Sequence, residues 1–105
     1  MVNYDAEIKL SICIPTYNRA RFLEETLESV TSQVNDNVEV VVVDGASTDN
    51  TAEVAERYRK KIANLVYYRG EKRLGVDRDM AKTIEISRGM YCWLLSDDDL
   101  LKPGA

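Results

Sequence analysis

The sequence has 105 residues, 45% hydrophobic and 30% charged, with a formal net charge of −4. A chain of this size and balance suits one soluble globular domain with a single core, burying roughly 60 to 70% of its unfolded surface. No basic surplus is available to neutralise phosphates along a polymer, which argues against nucleic acid as a partner.

Residues Met1 to Glu7 lack a basic segment followed by an apolar core, and no apolar run approaches ~18 residues. Neither a signal peptide nor a membrane span is therefore expected. Lys9 to Pro15 reads as a strand: Leu10, Ile12, Cys13 and Ile14 form the near-continuous apolar run of a strand covered on both faces, and Pro15, without an N–H, is expected to stop its ladder. In the loop Thr16-Tyr17-Asn18, Asn18 is placed to cap a helix beginning near Arg19 or Ala20. Leu23, Leu27, Val30 and Val34 make its apolar stripe, with Glu24, Glu25 and Glu28 on the other face and an end near Gln33.

Val38 to Asp44, β-branched nearly throughout, is the strongest strand signal and a candidate for a central position. It breaks into the small and polar loop Gly45-Ala46-Ser47-Thr48-Asp49. Asn50 with Glu53 three residues on resembles a capping box, opening a second helix that buries Ala55, Tyr58 and Ile62. Leu65 to Tyr68 is a third strand. A third helix is expected over about Asp77 to Ser87, with Met80, Ala81 and Ile84 inward and Gly89 as its C′ residue. Met90 to Leu95 forms a fourth strand in which Tyr91 and Trp93 are read as core residues. The local basic groups, Arg57 to Lys61 and Lys72-Arg73, read as solvated element ends.

Cys13 and Cys92 lie inside apolar runs, without a CxxC or any histidine in the chain. Buried reduced thiols fit that pattern, and a zinc site does not.

Strand, helix, strand, helix, strand, helix, strand at these spacings predicts an α/β fold: an open, mainly parallel sheet with helices on both faces. Ligands of such sheets bind beyond the carboxyl ends of the strands, where the strand order reverses. Three polar loops are then candidates for one site: Pro15 to Asn18, Asp44 to Asp49, and Ser96 to Asp99. The last holds three consecutive aspartates. At ~5 Å two carboxylates repel by roughly 1 kcal/mol in water and about 3 kcal/mol at the effective dielectric of a protein surface, a sign that a bound cation would reverse. As residues alone, the run reads equally as a solvated acidic loop that caps a helix. The missing GxGxxG disfavours a dinucleotide oxidoreductase, and there is no GKS or GKT phosphate loop.

Ser11-Ile12-Cys13-Ile14-Pro15-Thr16-Tyr17-Asn18-Arg19, then Val43 to Thr51, then Asp98-Asp99 followed by Pro103, resemble the opening of a family 2 glycosyltransferase with the GT-A nucleotide-sugar-binding fold. The resemblance implies an inverting enzyme segment that binds a nucleotide-diphosphate sugar and a divalent metal, Mn²⁺ or Mg²⁺, for transfer to a hydroxyl acceptor such as a saccharide or lipid-linked saccharide. It assigns Asp99, with Asp97, to the metal. Pro15, Thr16, Tyr17, Asn18, Asp44, Arg78 and Asp98 fall to the nucleotide sugar, and Gly45 stands where the family commonly carries the second of two acids. Arg78 could offer planar bidentate donors to the diphosphate; its other reading is a helix ion pair with Glu85 or Asp79. Asp77-Arg78-Asp79 with Tyr91-Cys92-Trp93 further resembles a branch of deoxyhexose transferases such as those of abequose.

The family's general base lies beyond the acidic motif, so no catalytic residue is assigned and the base is expected beyond Ala105. Residues 1 to 105 then form one domain, the donor-binding part of a longer enzyme of polysaccharide biosynthesis, cytoplasmic or at the cytoplasmic membrane face. Two alternatives remain at this stage: a non-catalytic nucleotide-binding fragment and an acidic-pocket phosphotransfer domain. Receiver domains of the latter kind place their acidic pair after the first strand, where this chain has Pro15-Thr16-Tyr17.

Overall fold

The structure, a computed structural model, describes residues 8–33 and 35–95. Its elements alternate as expected: β1 (Leu10–Thr16), α1 (Ala20–Thr31), β2 (Val38–Asp44), α2 (Thr51–Arg59), β3 (Leu65–Arg69), α3 (Val76–Ile86) and β4 (Tyr91–Leu94). The four strands form one sheet in the order β3-β2-β1-β4. All pairings are parallel, with Leu10 opposite Val38 and Thr16 opposite Asp44 in the central pair.

Strand order dictates the layers. The connections β1-α1-β2 and β2-α2-β3 step in one direction, whereas β3-α3-β4 returns across the sheet; right-handed crossovers therefore put α3 on the opposite face from α1 and α2. Accordingly α1 packs on α2, and α3 packs on β1 and β2. The main core lies on the α1/α2 side, where Ile12, Ile14, Val40 and Val42 meet Leu23, Leu27, Val30, Val54, Tyr58 and Ile62. Val34, the expected end of the α1 stripe, lies outside the described residues.

Several local expectations are corrected. Pro15 does not end β1, because the ladder to β2 runs on to Asp44. Cys13 O accepts from Leu95 N on the β4 side, and Thr16 O accepts from Gly45 N on the β2 side. Alternation along the strand thus turns the Pro15 nitrogen away from β2, where its missing N–H costs no bond. In β4, Tyr91 is 69% exposed and Trp93 36%, so neither is a core residue: among the described residues β4 pairs only with β1, and α3 lies over β1 and β2. Cys92 is correspondingly exposed, while Cys13 is buried.

The inward side of α3 is also not the expected one. Asp79 and Thr83 are its buried residues, Ala81 is exposed and Ile84 is 48% exposed. The sheet face beneath it carries Ser11, Cys13 and Glu39, and the Cys13 thiol points to Thr83 O at 3.9 Å. Gly89 takes no positive φ, so it is not a C′ cap. It is a close-approach residue: a Cβ there would fall 2.6 Å from Ser11 Oγ and 2.9 Å from the Leu10 carbonyl carbon.

Helix capping is reassigned to one side chain. Asn50 makes no side-chain cap, and neither does Arg19. Instead Asp49 Oδ2 accepts from Ala20 N at 3.1 Å, and its Oδ1 accepts from Thr51 N at 3.0 Å and from the Thr51 hydroxyl. One carboxylate thereby satisfies the first turns of α1 and α2. Burial opposes its charge, but the Thr51 hydroxyl and the amides of Ala20 and Thr51 outweigh burial and hold the carboxyl below its ordinary value of 3.8. A folded-state pKa below the unfolded one contributes stability that is fully present above the unfolded value and is lost as pH falls through the folded one. Asp49→Ala should therefore cost about 1 to 2 kcal/mol near neutral pH, and less in acid. Urea titrations at neutral and acidic pH test this; a deficit that does not shrink on acidification would contradict the charge assignment.

Candidate functional site

The carboxyl ends of β1, β2 and β3 are tied together by their loops. Asn18, at φ 50, receives hydrogen bonds on Oδ1 from Thr48 N at 2.7 Å and Asp49 N at 3.3 Å. Its own N–H donates to Ser47 Oγ at 2.8 Å. Asn18 is thus a clasp between the β1 and β2 loops rather than the helix cap expected of it. Arg69, ending β3, donates to Ser47 O at 2.9 Å.

Asp44 sits at the centre of this arrangement, fully buried. Its Oδ1 accepts from the Ser47 amide at 2.8 Å and the Ser47 hydroxyl at 2.6 Å, and its Oδ2 accepts from the Tyr67 hydroxyl at 2.5 Å. Burial, reinforced by the Asp44 carboxylate, pushes the Tyr67 phenol well above its usual range, so it stays a donor. With both oxygens engaged, Asp44 folds the loop.

The open wall of the site belongs to other residues. Tyr17 is partly exposed, and the Arg73 guanidinium lies over its ring, 4.1 Å from the centroid; such stacking desolvates one ring face and fixes the β1 loop against the 70–75 loop. Gly75, at φ 101, turns that loop into α3. Asp79 in the first turn of α3 is 8% exposed. Burial, and then the charge of Asp44, push its carboxyl above the usual range, with Arg73 opposing. On the same side, a cavity of about 540 Å³ is lined by Tyr68, Gly70, Lys72, Arg78, Asp79 and Lys82 among others.

Of the residues expected at the site, Pro15, Thr16, Tyr17, Asn18 and Asp44 gather at this edge, and Arg78 lines the adjoining cavity. Arg78 makes no ion pair among the described residues, so the helix ion pair with Glu85 or Asp79 is not formed; Glu85 pairs with Lys82 at 3.5 Å instead. Asp97, Asp98 and Asp99 lie outside the described residues, and no cluster that could hold a metal occurs among the described ones. Sequence reasoning placed Ser47 in a candidate loop without a role, and missed Tyr67, Arg73 and the burial of Asp79. The one available signal was Gly45, a residue without a side chain next to an aspartate at a strand end.

The profile of the family described as Glycosyl transferase family 2 matches residues 11–105. The chain belongs to glycosyltransferase family 2. Among curated relatives, the abequosyltransferase RfbV of Salmonella typhimurium is 39% identical over 95 residues, covering 88% of this chain and 28% of its own. Among solved structures, S. aureus TarS 1-349 in complex with UDP-GlcNAc superposes with a TM-score of 0.82 at 33% identity, over 88% of this chain and 27% of that one. The mannosyltransferase PcManGT from Pyrobaculum calidifontis, in complex with GDP-Man and Mn²⁺, superposes with a TM-score of 0.81 at 28% identity, over 90% of this chain and 28% of that one. The family 2 segment described here thus spans under a third of the length of these proteins, and its parallel sheet is the Rossmann-like half of a GT-A fold. Among the described residues no helix is long and apolar enough to cross a membrane.

Proposed function

We propose that this chain is the donor-binding part of an inverting, metal-assisted glycosyltransferase that moves a sugar from a nucleotide diphosphate to a hydroxyl of a saccharide or lipid-linked saccharide. The observation that carries the reading is the convergence of the β1 and β2 loops at the edge where strand order reverses, beside β4, whose sequence leads directly into the acidic run. Tyr17 offers a flat surface for the base, the Pro15 to Asn18 loop a wall for the ribose, and Arg78 a planar donor pair for the diphosphate. Support for the ligand class comes from the neighbours, whose solved complexes contain UDP-GlcNAc in one case and GDP-Man with Mn²⁺ in the other.

The donor set fits a hard divalent cation. Asp99 and Asp97 would supply carboxylate oxygens, and the chain has no histidine, so Mn²⁺ or Mg²⁺ is favoured over softer metals. Such an ion, when bound, supplies Lewis-acid stabilisation of the diphosphate leaving group. Asp98 would face the ribose. In this reading the residues described here hold the donor, and no general base is assigned among them.

Calorimetry with UDP, CDP, GDP and dTDP, each with and without Mn²⁺, tests the proposal. The wild type is expected to bind at least one of them in a metal-dependent way, with Asp99→Ala losing about tenfold or more in affinity. Affinities indifferent to both metal and substitution would return the acidic run to a solvated loop.

A further inference from the structure

The space at Gly45 is occupied by another residue's carboxylate. A Cβ built on Gly45 would lie 2.5 Å from Asp79 Oδ2 and 3.6 Å from Tyr17 Cδ1. A β2-loop residue, an α3 residue and the β1-loop ring thus meet at one point, and any side chain at position 45 would displace the acid. Gly45 itself is buried and shows no positive φ, so it is the room it leaves, not its backbone freedom, that matters here.

Asp79 at this point is an acid without a donor. It is 92% buried by its exposure of 8%, yet no hydrogen bond or ion pair to its carboxylate occurs among the described residues, in contrast to the other buried acids. Asp44 has three protein donors, and Glu39 also has three. Leaving a buried carboxyl unpaired costs free energy that a fold ordinarily avoids. Among the described residues no side-chain polar atom sealed from solvent lacks a partner, so the Asp79 oxygens keep an opening, and Asp79 lines the cavity described above. An acceptor of this kind, open on one side and set beside an aromatic ring, is completed by an N–H presented in the plane of a flat ligand.

We infer that Asp79, in the room left by Gly45, accepts a hydrogen bond from an N–H on the nucleobase edge of the donor, and so sets the base preference of this chain. This rests on the nucleotide-binding reading and deepens it. Tyr17 and Arg73 make the adjoining wall, and Asp79 supplies the contact that distinguishes one base edge from another. A site built to hydrogen-bond a polar edge rejects ligands that lack it far more strongly than an apolar pocket rejects a change of shape.

The test compares the wild type with Asp79→Asn and Gly45→Ala. Binding of UDP, CDP, GDP and dTDP is measured by calorimetry with Mn²⁺, alongside inorganic pyrophosphate, which has no base. The wild type is expected to rank the four nucleotides. Asp79→Asn, nearly the same in shape, should reorder or flatten that ranking by about tenfold, the size of one well-placed hydrogen bond to a charged group, while leaving pyrophosphate affinity unchanged. Gly45→Ala should flatten the ranking in the same way by displacing the carboxylate. If Asp79→Asn keeps the wild-type ranking, or weakens pyrophosphate and all four nucleotides equally, the inference is overturned and the nucleotide-binding reading stands. If the wild type binds none of the four nucleotides, that reading fails and the inference falls with it.

Discussion

Replacing Glu39 by alanine is expected to destabilise the fold by about 3 to 5 kcal/mol, the usual cost of removing one partner of a buried charged network. Glu39 is fully buried in the middle of β2. It accepts from the Ser11 hydroxyl at 2.6 Å, from Arg88 N at 2.5 Å and from Arg88 Nε at 3.1 Å, while Gly89 N donates to Ser11 Oγ at 2.9 Å. These bonds fasten the turn between α3 and β4 to the two central strands, so the carboxylate holds the returning crossover in place. Arg88→Ala should cost less, about 1.5 to 3 kcal/mol, because its side chain is 62% exposed and its backbone N–H remains. Glu39→Gln should fall between the two, since an amide keeps one acceptor but turns its NH2 toward a donor. Urea unfolding monitored by circular dichroism measures all three, and a Glu39→Ala midpoint equal to wild type would refute the assignment.

That network also marks where a sequence stops being legible. Element order, the α1 stripe and the buried side of α2 follow from periodicity, because each is a local pattern repeated every three or four residues. Glu39 interrupts an apolar strand for the sake of Ser11 and Arg88, residues 28 and 49 positions away, and no local pattern records such a partner. The same cause explains α3. Its apolar residues were expected to face the sheet, but the sheet there presents Ser11, Cys13 and Glu39, and the helix answers with Asp79 and Thr83. Gly89 was read as a helix end because that is glycine's commonest local use, whereas its cause is the approach of β1.

The candidate site was legible in outline for a related reason. Loops at strand ends can be named once the sheet is inferred, and Tyr17, Asn18 and Asp44 follow from that step alone. What each one does depends on partners from other strands. Asn18 looked like a cap and is a clasp between loops. Asp49 reads as a turn or cap residue, and the structure makes it a cap, for two helices at once. Asp44 looked like a ligand contact, and its oxygens are taken up by Ser47 and Tyr67.

Asp44 carries the second large expected effect, and this one reaches function as well as stability. Asp44→Ala strands three donors at the end of β2: the Ser47 amide, the Ser47 hydroxyl and the Tyr67 hydroxyl. Each hydrogen bond to a charged group is worth about 1.5 to 3 kcal/mol, less when several share one acceptor, so a total loss of about 3 to 5 kcal/mol is expected. The consequence spreads along the loop, since Ser47 receives the Asn18 amide and Asp49 caps α1 through Ala20. Nucleotide affinity should therefore fall by about tenfold or more even though Asp44 itself is sealed from the site. Two milder variants separate folding from contact. Asp44→Asn can keep its oxygen toward Ser47 and turn its NH2 to the Tyr67 oxygen, and Tyr67→Phe removes a single donor; each should cost about 1 kcal/mol. If Asp44 acts through the loop, affinity across Asp44→Ala, Asp44→Asn and Tyr67→Phe will track the loss of stability. An Asp44→Asn chain that stays stable but loses nucleotide binding outright would instead make the carboxylate a direct contact.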